Sequence, residues 1–133
     1  MSVERMSFVI DGTPPSVNHM YQQVERHTSE GNYRSVRKAD NVSEYQTYAA
    51  LVVRLARPKN WLNKYVVGEY IRVEYRFFLN RHSDCDNLMK ALNDGIAGAL
   101  GVDDKYFLPC ARSKTVSKSE KPRVEVTIGP AEE

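Results

Sequence analysis

The chain has 133 residues, 41% of them hydrophobic and 27% charged, with a formal net charge of +2. That length fits one domain with a core of its own, and no run of about 18 apolar residues is present to span a membrane. Two cysteines, Cys85 and Cys110, are too few for a disulfide framework or a zinc site.

The opening MSVERMSFVI lacks the apolar centre of a signal peptide. A cytoplasmic protein is therefore expected, including one that works on the nucleoid or in a phage-infected cell. Mild basicity does not by itself identify a nucleic-acid partner, which would need positive charge gathered on one face.

Ser7 to Ile10 reads as a short strand, stopped by Asp11, Gly12, Pro14 and Pro15. The polar segment that follows, through Asn41, shows no apolar period. It predicts a long loop or a weak hairpin, carrying Arg34, Arg37 and Lys38 either to solvent or to DNA. Ser43 to Arg57 predicts a helix with Tyr45, Tyr48, Val52 and Leu55 on its apolar face and a Ser43–Gln46 capping box. Arg54, Arg57 and Lys59 gather near its carboxyl end, where the helix dipole already favours positive charge; a phosphate contact is the alternative reading.

Tyr70 to Asn80 alternates cleanly and predicts a strand, with Ile71, Val73, Tyr75, Phe77 and Leu79 on one face. A second helix is predicted from Asn87 to Leu100, with Leu88, Leu92 and Ile96 inward and Gly101 as its stop. The tail predicts a closing hairpin, Ala111–Lys118 and then Val124 to Ile128. On it Arg112, Lys114 and Lys118 would share one face as a stripe that tracks phosphates, or simply keep the hairpin soluble. The expected fold is thus α/β (α+β): a small mixed sheet of about four strands packed with two main helices, in one domain over 1–133.

Between strand and tail lies SDCDNLMKALNDGIAGALGVDD, residues 83–104. Asp84 and Asp86, two apart, point the same way on an extended segment, so both carboxylates can reach one ion. Hard divalent cations take carboxylate oxygens, and such ions activate water in phosphodiester hydrolysis. The Lys90 ammonium suits a developing phosphate charge. A plainer reading is also open: Ser83 with Asp86 forms a capping box, and Asp84 or Asp86 can serve as an N-cap. Asn87 can fix a carboxylate, contact phosphate or start the helix. Asp94 reads as a helix-surface partner of Lys90. An EF-hand is excluded, because Met89 stands where its loop glycine belongs and no Glu closes the loop. No elbow motif supports a serine or cysteine nucleophile. A helix over 87–100 is about 21 Å long. Asp104 can therefore join Asp86 only if the chain doubles back after Gly101, or if two subunits share a site.

The ordered set Asp84-x-Asp86-Asn87, Lys90, Asp94 and Asp103-Asp104 resembles the RusA family of Holliday junction resolvases, as does the early Pro14-Pro15-Ser16-x-Asn18. The resemblance spans nearly the whole chain. It implies a homodimer and magnesium-dependent cutting, with manganese as an alternative ion, of four-way junctions or other branched DNA in recombination and repair. It implies Asp84, Asp86 and Asp104 as metal ligands, Lys90 as a catalytic partner at the phosphate, and Asn87 and Asp103 in support. The basic run ahead of the first aspartate is here Arg81 and His82, so Arg81 joins Arg112, Lys114 and Lys118 as an expected DNA contact. Two other readings remain at this point: a catalytically silent protein that binds branched DNA, and a metal nuclease without junction preference.

Overall fold

The structure is a computed structural model that describes residues 3–16, 21–28 and 31–132. Asn18 lies outside the described residues. Four strands form one mixed sheet: β1 (Met6–Asp11), β4 (Ile71–Leu79), β5 (Phe107–Val116) and β6 (Arg123–Pro130), in the order β1-β6-β4-β5. β2 (Tyr21–Thr28) and β3 (Gly31–Lys38) pair separately as an antiparallel ribbon. Of the two readings of the polar segment, the hairpin is the one the backbone adopts. The helices are α1 (Asp40–Ala56) and α2 (Cys85–Leu100).

β4 is the axis of the sheet. It runs antiparallel to β6 and parallel to β5. Its alternation puts Ile71, Val73, Tyr75 and Phe77 out of solvent, while Arg72, Arg76 and Phe78 on the other face stay half-buried. α2 is the crossover that carries the chain from β4 to its parallel neighbour. Leu88, Leu92, Ile96 and Leu100 are buried along its inner face. Each such side chain contributes about 1.5–3 kcal/mol on leaving water.

The tail corrects the expected hairpin. β5 and β6 are not neighbours, because β4 lies between them. The physical reason is the crossover: α2 returns the chain on the outer side of β4, and β6 then fills the position on its inner side, between β4 and β1. β6 is flanked on both sides, and Val124, Val126 and Ile128 are buried. β5 sits at the edge, and Leu108 to Val116 are all exposed.

The first helix also differs from expectation. It begins at Asp40 after Ala39, which makes no side-chain cap, so Ser43 is inside the helix. Its buried positions are Val42, Gln46, Ala49 and Val53, while Tyr48 and Leu55 lie exposed on the outer side. The buried face is rotated by one residue because α2 packs there. Gln46, expected in a cap, instead donates from Nε2 to the Ala91 carbonyl at 3.1 Å, across the contact between the helices. Beneath α2, the buried Tyr75 hydroxyl donates to Asn93 Oδ1 at 2.5 Å and ties strand to helix.

Candidate active site

The aspartate stretch begins where β4 ends. Asp84 is the N-cap residue of α2, with extended backbone, but its carboxylate makes no capping hydrogen bond. Asp86 lies in the first turn. Both are exposed. The capping box is thus not formed, and among the described residues neither carboxylate accepts a hydrogen bond. Asn87 is half-buried, and its backbone N–H donates to the Asp84 carbonyl at 3.1 Å. That contact belongs to the start of the helix.

One turn onward, Lys90 Nζ lies 2.9 Å from Asp94 Oδ1 and 3.9 Å from Asp104 Oδ2. The chain does turn back after the helix. Gly101 takes a left-handed conformation at φ 74°, and its N–H donates to the Ala97 carbonyl at 2.9 Å. The N–H of Val102 donates to the same carbonyl, and its side chain is buried. A left-handed residue followed by a buried apolar one reverses the chain against the helix it has just left. Asp103 then accepts a hydrogen bond at Oδ1 from the Lys105 N–H at 3.0 Å, capping a short 3-10 turn over Asp104–Tyr106. Asp103 is therefore committed to the turn, and Asp104 is the member of the pair that faces α2.

Burial pushes the Asp104 carboxyl above the ordinary carboxylate value. A hydrogen bond with Asp94 and the charges of Asp94 and Asp103 push it the same way, while Lys90 pulls it back. Asp94, read from sequence as a surface partner of Lys90 alone, thus also meets Asp104. Neither Asp84 nor Asp86 is among the charges that act on Asp104. Among the described residues, no three Asp, Glu, His or Cys side chains are grouped closely enough to hold one ion. What is assembled is a row along α2: Asp84 and Asp86 at its start, Lys90 next, then Asp94 with Asp104 against it.

The basic residues divide. Arg81 is exposed in the loop after β4. Lys114 lies opposite Phe77 in the sheet, and its Nζ donates to the Ser83 carbonyl at 3.3 Å and meets His82 Nε2 at 3.2 Å. It is beside the aspartates. Arg112 is not on the same face. Tyr75 pairs with Ala111 and Arg76 with Ser113, so Arg112 is the extra residue of a bulge, and its Nε approaches Glu74 Oε2 at 3.9 Å. A bulge reverses the alternation beyond it, which breaks the expected stripe. Lys118 is exposed in the turn after β5.

The profile described as "Endodeoxyribonuclease RusA" matches residues 11–129. The chain belongs to the RusA family. RusA proteins are endodeoxyribonucleases that resolve Holliday junctions, so the protein is a hydrolase that acts on branched DNA, and RusA nucleases are generally dependent on a divalent metal. No curated protein matches the chain. Among solved structures, the crystal structure of 2C-methyl-D-erythritol 2,4-cyclodiphosphate synthase from Plasmodium vivax aligns with 98% of this chain and 96% of its own, at 8% identity and a TM-score of 0.38.

Carboxylate oxygens suit a hard divalent cation. Among the described residues the Asp84 and Asp86 carboxylates accept no hydrogen bond, so their oxygens suit such an ion chemically. The third carboxylate, Asp104, faces the same helix but is held at Lys90.

Proposed function

We propose that this RusA nuclease uses magnesium, or manganese in its place, held by Asp84, Asp86 and Asp104. Such an ion, when bound, supplies an activated water and charge neutralisation at the phosphate. Lys90 serves as the cation for the reacting phosphate, and Asn87 and Asp103 support the site through the helix start and the turn. The observation that carries this reading is the contact of Asp104 with Lys90, because it brings the second half of the aspartate motif onto the helix that begins with the first half.

The row of charges has a direct chemical meaning. Lys90 neutralises Asp94 and Asp104, two carboxylates that otherwise repel one another. A divalent ion has the same sign as Lys90 and competes with it for Asp104. An incoming phosphate attracts Lys90 in the opposite direction. Lys114 and Arg81 flank the start of α2 as contacts for the DNA backbone, with Lys118 further along and Arg112 held back by Glu74.

The protein acts as a homodimer in recombination and repair in the cytoplasm, because resolving a four-way junction takes paired cuts related by symmetry and a two-fold assembly supplies two sites. A second reading, a silent binder of branched DNA, draws on the absence of a three-carboxylate group among the described residues. Incubating the protein with a synthetic four-way junction, with magnesium or with chelator, separates the two. Nicking in magnesium alone supports the nuclease; tight binding without nicking supports the binder. Competition with linear duplex at a stated salt concentration then measures junction preference.

A further inference from the structure

Beyond the aspartate row, α1 and α2 enclose a groove of about 460 Å³. Ser43, Thr47 and Arg54 of α1 line it, together with Asp94, Gly95 and Gly98 of α2. Asp94 therefore belongs both to the groove and to the charge row with Lys90 and Asp104. Arg54 also lines a second depression, of about 330 Å³, with Arg57, Lys59, Asn60 and Asn63. The two hollows share Arg54, which sets the groove that holds Asp94 beside a basic cluster at the end of α1. Arg54, Arg57 and Lys59 make no ion pair among the described residues.

We propose that this groove holds the sugar-phosphate backbone of the DNA strand next to the phosphate being cut, with Ser43, Thr47 and Arg54 as its first contacts and Arg57 and Lys59 as its outer ones. The proposal rests on the nuclease reading of Asp84, Asp86, Lys90 and Asp104. Hydroxyls and guanidinium groups are the side chains that most often position a DNA backbone without reading bases. Ser43 to Arg54 extends about 16 Å along the helix. That is about five phosphates of one strand at the spacing of B-form duplex.

The groove floor favours this occupant. Gly98 is exposed, and a Cβ placed on it would meet nothing within 4 Å. Packing within the chain gives no reason for glycine there, whereas a backbone lying close over α2 does. A second copy of the chain is a poorer fit, because this wall carries hydroxyls and Arg54, while the large exposed apolar residues of α1, Leu51 and Leu55, are not among those lining the groove. The helix dipole alone explains basic residues at the end of α1 but not the groove in which Arg54 and Asp94 both stand.

The test is junction binding by fluorescence anisotropy in chelator, over a range of salt, for the full chain and for Arg54→Gln and Gly98→Leu. A Leu at position 98 enters open space, and Arg54 is exposed, so both variants keep the fold. Arg54→Gln is expected to reduce the slope of log affinity against log salt by about one, the loss of one phosphate contact. Gly98→Leu is expected to weaken junction binding by about tenfold, equivalent to about 1.4 kcal/mol. In magnesium, each variant should lose more in KM than in kcat. If the wild-type chain binds and cuts but both variants keep its affinity and salt slope, the groove proposal is overturned and the nuclease reading stands. If the wild-type chain neither binds nor cuts, both fall. If Gly98→Leu converts a dimer to monomer in sedimentation while Arg54→Gln binds normally, the groove holds a second copy and the DNA assignment is overturned.

Discussion

Asp104 Oδ2 lies 3.9 Å from the Nζ of Lys90, although the rest of α2 and a chain reversal separate them in sequence. The contact depends on Gly101 and the buried Val102, which turn the chain back along the helix. It makes Lys90 the hinge of the site's electrostatics. Replacing Lys90 with Met removes the ammonium that lies between Asp94 and Asp104. Magnesium affinity, measured by titration calorimetry, should be no weaker, since a positive charge has been removed from beside the carboxylates. Single-turnover cleavage should fall by about 10²–10³-fold, the usual loss for a group that stabilises transition-state charge. Lost metal affinity in this variant would place Lys90 in a different role.

The Tyr75–Asn93 hydrogen bond links the central strand to the middle of α2, next to Asp94. Tyr75→Phe removes the donor and leaves Asn93 Oδ1 short of a partner. Urea unfolding should show a loss of about 1 kcal/mol. A variant as stable as the parent would mean that water replaces the hydroxyl without cost.

Gly98 offers a stability prediction independent of DNA. Ala is better than Gly in a helix interior by about 0.8–1 kcal/mol, and a Cβ at this position meets nothing. Gly98→Ala should raise the unfolding free energy of the free protein by about that amount. A loss of stability would show that another part of the chain occupies the groove.

The two thiols should react at different rates. Burial raises the Cys85 thiol above its ordinary value; the charges of Asp86 and Asp84 add to this, and Lys114 opposes it. A raised pKa leaves less thiolate at neutral pH and slows alkylation. Cys110 is exposed on the edge strand. Mass spectrometry after limited iodoacetamide treatment should find Cys110 modified before Cys85, and the reverse order would contradict the placement of Cys85.

Much of this architecture is legible in the residues themselves. The alternation from Ile71 to Leu79 and the 3.6-residue period of Leu88, Leu92 and Ile96 each reflect burial on one face, which sequence records directly. The position of Asp84-x-Asp86-Asn87 and Lys90 after the strand is legible too, because the alternation that marks the strand stops just before them. What sequence does not record is who neighbours whom. Two consecutive strands read as a β5–β6 hairpin, and only the crossover of α2 puts β4 between them. The stripe of Arg112, Lys114 and Lys118 fails at a bulge that no local signal marks. Tyr48 and Leu55 share the helical period of α1, yet they face outward because the helix buries the face of Val42, Gln46, Ala49 and Val53, where Gln46 bonds to α2. Asp94 reads in sequence as a simple i,i+4 partner of Lys90, and only the return of the chain brings Asp104 against it.

The most direct test of the central claim is cleavage of a synthetic four-way junction by the Asp86→Asn variant beside the wild-type chain, with magnesium and with chelator. The metal-site account predicts that wild type cuts in magnesium only, and that Asp86→Asn binds the junction with similar affinity but does not cut it. Full magnesium-dependent cutting by Asp86→Asn would contradict the account.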